Sequence, residues 1–129
     1  MIGYCLVGTK DLERAAACYD EVFSLLGVAR CLTWPGRMVT WGAMWREPHF
    51  GVATPFNQQS ATVGNGTMVA LKADQRQLVD QVYRKALELG GTDEGLPGIR
   101  GADSNGFYGA YFRDLDANKL CIFRYGPTG

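Results

Sequence analysis

The sequence lacks an excess of charge of either sign. Thirteen Lys and Arg residues balance thirteen Asp and Glu residues among 129 residues, and no block of like charges interrupts the balance along the chain. A protein that binds nucleic acid or an anionic membrane through its surface charge needs a basic patch. We therefore expect no nucleic-acid partner and no membrane, which leaves a small-molecule ligand or a second copy of the chain.

Long hydrophobic runs are also missing, although 47% of the residues are hydrophobic. No segment approaches the roughly 20 apolar residues that a membrane-spanning helix needs. Residues 1–7 are mostly apolar but follow no basic region, and charged residues come soon afterwards. We therefore expect no signal peptide and a cytoplasmic location.

Cysteine and histidine are sparse, and their spacing is wrong for metal chemistry. The cysteines at positions 5, 18, 31 and 121 lie 13, 13 and 90 residues apart, which matches neither a zinc motif nor a C-x-x-C redox pair. In a cytoplasmic protein we expect four reduced thiols. His49 is the only histidine, and one imidazole does not make an ordinary metal site. We expect no metal ion and no other cofactor.

Hydrophobic periodicity predicts a strand, a helix and three further strands in the first half of the chain. Residues 2–7 form a branched apolar run typical of a strand. From Leu12 to Leu26 apolar residues recur at the spacing of one helix face, and Gly27 is predicted to end that helix. Short strands are predicted at residues 29–34, 38–45 and 50–54.

The same order recurs after a polar linker, which is predicted at residues 56–66. A capping box at Asp74 and Gln77 is predicted to open a second helix, and Gly90 to end it. Residues 92–106 are rich in glycine and are predicted to form a long loop with room for one short strand. The expected strands are 67–72, 107–113 and 119–124, and the expected buried helix positions are Leu78, Val82, Ala86 and Leu89.

A fixed offset relates the two predicted helices. Asp74 follows Asp11 by 63 residues, and Gly90 follows Gly27 by the same 63 residues. This indicates a repeated β-α-β-β-β unit, at about residues 1–55 and again at about residues 67–129. Each helix would cover one face of its strands and leave the other face to enclose a cavity. The expected fold is α+β, a single domain of two such units paired around a cavity.

Four segments carry motifs of one known superfamily, in the expected order. They are residues 11–20 (DLERAAACYD), 64–71 (GNGTMVAL), 90–100 (GGTDEGLPGIR) and 114–120 (DLDANKL). Together they resemble the vicinal oxygen chelate superfamily, which includes glyoxalase I, bleomycin-resistance proteins and extradiol dioxygenases. The resemblance covers nearly the whole chain. It implies a glyoxalase-like half-barrel fold and a homodimer.

Metal-using members of this superfamily hold their ion with His, Glu or Gln side chains from strands that face the cavity. The resemblance places three of these positions at Tyr4, Met68 and Cys121, and the fourth within residues 51–53, where no ligand-type side chain exists. A hard ion that stabilises an enolate prefers imidazole and carboxylate ligands. The resemblance therefore implies a member without the usual metal ligands, in which these side chains form a cavity wall.

Strand alternation places several of these side chains on shared faces, such as Cys121 with Phe123. An aromatic and apolar wall suits a flat or apolar ligand, and Arg100 could clamp a carboxylate or a phosphate. The candidate ligand-binding residues are Tyr4, Leu6, Trp41, Met68, Arg100, Tyr108, Cys121 and Phe123.

The leading functional expectation is metal-independent binding of a small apolar or aromatic molecule between the two units. One alternative is a lyase or isomerase of the same superfamily with a displaced site around His49, Glu47, Arg100 or Asp103. Another is a dimeric structural or regulatory module with no open pocket. No catalytic residue is assigned from the sequence.

Overall fold

The first helix begins and ends where local chemistry predicts. In the computed structural model, which describes residues 1–43 and 47–127, helix α1 spans Leu12–Leu25. The Asp11 carboxylate accepts a hydrogen bond from the backbone N–H of Arg14 at 3.1 Å and so caps the first turn. Gly27 has a φ of 71°, the left-handed conformation that ends many helices and that glycine adopts without strain.

The strands of the first half form one mixed sheet. They are β1 (Tyr4–Gly8), β2 (Arg30–Trp34), β3 (Met38–Trp41) and β4 (His49–Ala53). The spatial order is β1-β4-β3-β2, in which β1 and β4 are parallel and the other neighbours are antiparallel. The four predicted strands are confirmed with shifts at their ends. Residues 44–46 of the predicted 38–45 strand lie outside the described residues.

The second half repeats this arrangement. Its elements are β5 (Val69–Lys72), α2 (Arg76–Glu88), β6 (Thr92–Arg100), β7 (Phe107–Arg113) and β8 (Lys119–Tyr125). The sheet order is β5-β8-β7-β6, again with one parallel pair, β5 and β8. The chain divides into two compact units, Met1–Val63 and Gly64–Gly129. The prediction of an α+β fold built from two β-α-β-β-β units is confirmed.

The predicted capping box of the second helix is wrong. The N-cap of α2 is Gln75, and its side chain makes no capping hydrogen bond in the described structure. The buried face is also turned relative to the prediction, because both sets of positions fit the helical period equally well. Contact with the sheet selects Val79, Val82, Tyr83 and Ala86, while Leu78 and Leu89 are only half-buried.

The long loop predicted at residues 92–106 is mostly strand. β6 pairs with β7 in antiparallel fashion, with register shifts between Asp93 and Gly95 and between Gly95 and Gly98. Glycines in a strand often mark such irregularities or a close approach by another group. At Gly95 an added Cβ would lie 2.9 Å from Cδ2 of Tyr111. The glycines that suggested a loop therefore belong to a strand. At Gly95 the neighbouring Tyr111 side chain leaves too little room for a Cβ.

Each helix packs on one face of its own sheet, and among the described residues of the same unit no helix covers the opposite face. In the first unit Tyr19 and Phe23 of α1 pack on Trp41 and Phe50. In the second unit α2 packs mainly on β7, with further contacts to β6 and β8. Within the described residues, neither helix has the length and apolar content that crossing a bilayer requires.

Candidate functional site

Register in the second sheet defines which side chains share its helix-free face. Tyr108 belongs to the opposite, helix-facing side, because its hydroxyl donates to Oδ1 of Asp80 on α2 at 2.6 Å. Strand alternation therefore turns Phe107 and Tyr111 away from the helix. Their partners on β8 turn the same way. The helix-free face of the second sheet carries Met68, Arg100, Phe107, Tyr111, Lys119, Cys121 and Phe123.

Two cations flank Tyr111 on this face. The guanidinium carbon of Arg100 lies 5.4 Å from the ring centroid, and the Lys119 Nζ lies 5.6 Å from it. Both separations fall within the range of cation–π attraction. The Arg100 guanidinium also donates to the Leu96 carbonyl oxygen at 2.6 Å. Arg100 is thus held in place, with donors still available for a ligand.

Glycines make room for this guanidinium. A Cβ added at Gly98 would lie 3.2 Å from Nη1 of Arg100, and one at Gly95 would lie 3.2 Å from Nη2. Contacts that short are tighter than ordinary van der Waals packing. The 95–98 segment of β6 therefore acts as a shallow cradle that positions Arg100 over the sheet.

Charge on this face is unbalanced in favour of cations. Arg113 is paired with Glu94 through a short charge-assisted hydrogen bond, and that bond holds the pKa of Glu94 below its usual value. Among the described residues, neither Arg100 nor Lys119 has a carboxylate within ion-pair distance. Glu94 lies near enough to Lys119 for the Lys119 charge to lower its pKa as well, so Glu94 partly balances Lys119. Arg100 has no such partner among the described ion pairs, and its guanidinium beside the Tyr111 ring can attract a small anion.

The remainder of the face is aromatic and apolar. Phe107 and Phe123 stack with their ring centroids 5.2 Å apart and their planes 9° from parallel. Cys121, only 1% exposed, lies opposite Tyr111 in the ladder. Burial raises the pKa of the Cys121 thiol, which outweighs the opposing effects of Tyr111 and the nearby cations. Cys121 is therefore a wall residue and is poorly suited to be a nucleophile.

Two of the predicted ligand-binding residues face a helix. Trp41 is 1% exposed, stacks on Phe23 at 5.4 Å and donates from Nε1 to Asp20 at 3.0 Å. Tyr108 is bonded to Asp80, and burial raises its pKa to about 12. These two side chains support the helix–sheet cores. The other predicted residues of the second unit, Met68, Arg100, Cys121 and Phe123, share its helix-free face.

Tyr4 and Leu6 lie on the helix-free face of the first sheet. Tyr4 is 58% exposed, and Leu6 is also exposed. Leu6 lines a surface pocket of about 390 Å³ together with Met38 and Phe56. A neighbouring pocket of about 440 Å³ is more polar and includes Lys10. Both pockets are open grooves formed by residues of the first unit.

The residues of the enzymatic alternative have other partners. The His49 Nε2 lies 2.7 Å from the Ala43 carbonyl oxygen, and its Nδ1 lies 3.3 Å from the Cys31 sulfur. The Asp103 carboxylate accepts from the backbone N–H of Asn105 at 2.9 Å and so closes a turn. Glu47 is exposed. The structure does not bring Asp103 into contact with Arg100 in any described hydrogen bond or ion pair.

Tyr111 and Lys119 were missing from the predicted site. A signal for them existed, because alternation along residues 107–113 places Tyr111 with Phe107. Lys119 likewise shares a face with Cys121, two residues later on β8. What the sequence could not supply was the register, which sets Tyr111 opposite Cys121 and Arg113 opposite Lys119.

The donors at the superfamily's metal positions do not fit its usual ion. The resemblance to the superfamily assigns its metal-ligand positions to Tyr4, Met68 and Cys121. Their phenol, thioether and buried thiol are not the imidazole and carboxylate groups that a hard ion prefers. In the part of the chain that the structure describes, no three His, Cys, Asp or Glu side chains gather closely enough to hold a metal. No chemical step is therefore assigned to a metal here.

Solved structures resemble this chain along nearly its full length. Neither a protein-family model nor a curated protein matches its sequence. A glyoxalase/bleomycin resistance protein from Albidiferax ferrireducens is 31% identical with a TM-score of 0.84, covering 96% of this chain and 98% of the other. A glyoxalase/bleomycin resistance protein/dioxygenase family enzyme from Burkholderia phytofirmans is 20% identical with a TM-score of 0.71, covering 95% and 97%. Lactoylglutathione lyase from Agrobacterium tumefaciens is 21% identical with a TM-score of 0.66, covering 96% and 92%. At 20% and 21% identity, the likeness to the last two proteins shows the fold alone.

Proposed function

The chain belongs to the glyoxalase/bleomycin resistance protein family, and on that premise we propose that it binds a small aromatic or apolar acid without a metal ion. The proposed site is the helix-free face of the second sheet. The observation that carries the proposal is the pair of cations, Arg100 and Lys119, that both approach the Tyr111 ring. The resemblance to the vicinal oxygen chelate superfamily is confirmed by the same membership.

The acidic group of the ligand is inferred from Arg100. Its planar guanidinium matches a carboxylate or phosphate with two parallel hydrogen bonds. The contact with Tyr111 and the hydrogen bond to Leu96 hold the side chain in place before the ligand arrives. Less conformational entropy is then lost on binding than for a mobile surface arginine. Lys119 adds a second positive charge 5.6 Å from the centroid of the same ring.

The aromatic or apolar part of the ligand is inferred from the stacked pair Phe107 and Phe123. These rings and the exposed Met68 supply an apolar surface next to the cations. Aromatic groups stack on such surfaces with an energy of about 1 kcal/mol beyond simple burial. A ligand with one flat apolar part and one acidic group satisfies both halves of the face.

Metal independence is part of the proposal, and the chemistry of the donor set supports it. By the resemblance, Tyr4, Met68 and Cys121 stand at the positions where metal-using members carry imidazole and carboxylate. Soft sulfur donors select ions such as copper(I) rather than the hard ions that polarise paired oxygens. We expect purified protein to contain no stoichiometric metal by elemental analysis. A stoichiometric content of Zn, Ni, Mn or Fe would refute this part of the proposal.

Ligand binding is tested by thermal shift with a matched pair of probes. Naphthalene-2-carboxylate carries the acid, and naphthalene-2-carboxamide has the same ring system without the charge. We expect the carboxylate to raise the melting temperature by mass action and the amide to raise it much less. Equal shifts with both probes, or a shift with neither, would contradict the proposal.

A variant pair then assigns the binding to this face. Arg100→Gln removes the guanidinium, and we expect it to weaken carboxylate binding by about tenfold. Arg84→Gln is the control, because Arg84 is exposed on α2 and its replacement removes the same charge from a surface outside the proposed site. Equal losses in both variants would indicate a general charge effect and overturn the assignment. Isothermal titration calorimetry measures the affinities.

A lyase or isomerase activity is less well supported than binding. A general base must reach the substrate with a nitrogen or carboxylate oxygen. Both ring nitrogens of His49 already have hydrogen-bond partners, and the Asp103 carboxylate closes a turn. Binding without turnover requires none of these groups.

We also propose that the protein is a homodimer, as the resemblance to small members of the superfamily implies. Several large apolar side chains are exposed in the described structure, and such surfaces often lie at protein interfaces. They include Leu6, Trp34, Phe56, Leu96 and Tyr125. Sedimentation equilibrium tests this point. A molecular mass near 14.1 kDa at all concentrations would exclude the dimer, since that is the mass of one chain.

A further inference from the structure

A bulge in β2 directs a cysteine towards the only histidine of the chain. The register passes from Arg30 opposite Trp41 to Leu32 opposite Thr40, so that Cys31 is the extra residue. Bulges commonly redirect a side chain in this way. The Cys31 sulfur lies 3.3 Å from Nδ1 of His49 and 3.0 Å from the Thr40 hydroxyl.

The hydrogen bonds of His49 determine which ring nitrogen accepts. A carbonyl oxygen can only accept, so Nε2, 2.7 Å from the Ala43 carbonyl, carries the proton of the neutral ring. Nδ1 is then an acceptor, and the Cys31 thiol donates to it. The Thr40 hydroxyl can donate to the sulfur in turn. This is the arrangement of a nucleophile with an oriented base.

The backbone around His49 preserves this orientation. His49 is 6% exposed, and its backbone N–H donates to the Gly3 carbonyl oxygen at 3.0 Å. At Gly42, where φ is 145°, an added Cβ would lie 3.1 Å from Cδ2 of the imidazole. The ring therefore has little room to turn away from Cys31.

We propose that Cys31 and His49 form a nucleophilic thiol–imidazole pair that captures small, uncharged carbon electrophiles, such as α,β-unsaturated carbonyl compounds, as a thioether on Cys31. The pair lies in the first unit and does not depend on the proposed ligand site. Cys31 is half-buried, so a small reagent can reach it.

The surroundings favour an uncharged, partly apolar reagent. Leu32, which follows Cys31 on β2, is exposed, as is Trp34 two residues further along the strand. The titratable group aligned with His49 on β1 is Tyr4, and β3 contributes Thr40, which does not titrate. Glu47, two residues before His49, is the nearest carboxylate along the chain and is exposed.

The step balances without a further reactant. The Cys31 proton passes to Nδ1 of His49, and the thiolate forms a carbon–sulfur bond to the β-carbon of the electrophile. The π electrons of the carbon–carbon double bond move to the carbonyl oxygen and give an enolate. The enolate α-carbon then takes the proton from the imidazolium, which restores neutral His49 and leaves a saturated thioether. No oxidant or reductant is required.

Trypsin makes the test straightforward, because every cysteine falls in a different peptide. Cys31 lies in residues 31–37, Cys5 in 1–10, Cys18 in 15–30 and Cys121 in 120–124. The folded protein is treated with N-ethylmaleimide and quenched with excess thiol. The fraction modified at each cysteine is then measured by mass spectrometry over time. We expect Cys31 to react about tenfold faster than half-buried Cys5 at pH 7.

Two variants separate the imidazole from simple exposure. His49→Gln replaces the imidazole with an amide that is not basic, and we expect it to slow Cys31 by about tenfold and to leave Cys5 unchanged. Thr40→Val should slow Cys31 by a smaller factor. A His49→Gln protein with unchanged Cys31 reactivity would overturn the proposal.

The wild-type protein provides a test that does not depend on the folding of the variants. A thiol without a base loses about tenfold in rate for each pH unit below its pKa. The pair predicts a much shallower loss for Cys31 between pH 8 and pH 6 than for Cys5, whose thiol pKa is raised by burial. If Cys31 follows the steep dependence, or reacts no faster than Cys5, the pair is not a nucleophile.

Discussion

Arg100 lies across the ring of Tyr111, with its guanidinium carbon 5.4 Å from the ring centroid. The two residues come from neighbouring strands, and the close approach is possible because Gly95 and Gly98 carry no side chains beneath the guanidinium. Lys119 approaches the same ring at 5.6 Å. Positioning of one cation by a ring and two glycines is the feature on which the proposed ligand site depends.

Replacing Gly98 with Ala should weaken ligand binding more than it weakens the fold. The new Cβ would lie 3.2 Å from Nη1 of Arg100, the end of a flexible side chain that can shift aside. We expect about three- to tenfold weaker binding of naphthalene-2-carboxylate, because a shifted guanidinium no longer meets the carboxylate with two hydrogen bonds. Gly3→Ala is the control, since nothing lies within 4 Å of its Cβ position. Calorimetric affinities equal to wild type in Gly98→Ala would argue against the cradle.

Trp41 and Trp34 should differ sharply in their contribution to stability. Trp41 is 1% exposed beneath α1, whereas Trp34 is 53% exposed at the end of β2. Trp41→Ala removes a buried ring and should lower the free energy of unfolding by about 3–5 kcal/mol. Trp34→Ala should lower it by less than about 1 kcal/mol, as for most surface positions. Urea denaturation of both variants provides the comparison, and similar losses would contradict the placement of the two rings.

Asp20 should stabilise the protein only while it is ionised. Hydrogen bonding to Arg30, with a further hydrogen bond from Trp41, holds the pKa of Asp20 below its usual value. A carboxyl group with a lowered pKa in the folded state contributes its stability above the unfolded pKa and loses it as the pH falls. Asp20→Asn should cost about 1 kcal/mol at pH 7, because the ion pair is partly exposed to solvent.

The cost of Asp20→Asn should shrink when unfolding is measured at about pH 3, because unfolded Asp20 is then largely protonated and the folded wild type loses the advantage of its ionised carboxylate. Glu47→Gln is a matched control, because Glu47 is an exposed carboxylate. It should show no comparable change between the two pH values. A cost for Asp20→Asn that does not vary with pH would show that the carboxylate charge is unimportant there.

Replacing Ala117 with Gly should stabilise the protein. Ala117 has a φ of 67° in the turn between β7 and β8, a conformation that strains a residue with a Cβ. Relief of that strain should raise the free energy of unfolding by about 0.5–1 kcal/mol, reduced by the greater freedom of glycine in the unfolded chain. Ala102→Gly, in an exposed loop, should bring no such gain. Loss of stability in Ala117→Gly would refute the assignment of strain.

Local patterns predicted the elements but not all of their faces. Asp11 and Gly27 bounded α1 correctly because a cap and a left-handed glycine act within one turn of the chain. In α2 the period allowed two neighbouring faces, and packing on the sheet chose Val79 and Tyr83. In β6 the glycines suggested a loop. The segment is a strand because it pairs with β7, and that pairing cannot be read from the residues of β6 alone.

The candidate site shows the same division. Alternation correctly grouped Cys121 with Phe123. It could not show that the Trp41 and Tyr108 side chains lie on the faces of their sheets that pack against a helix. The approach of Cys31 to His49 depends on a bulge whose position is set by pairing with β3. Spacing along the chain carries no information about such a pairing.

By itself the sequence determined the repeated β-α-β-β-β order and the boundaries of the first helix. These properties depend on residue identity and on interactions within a few residues. Only the tertiary structure decided that Arg100 and Lys119 flank Tyr111 and that Cys31 meets His49. Strand register brings these residues together, and register is set by pairing between segments far apart in the chain.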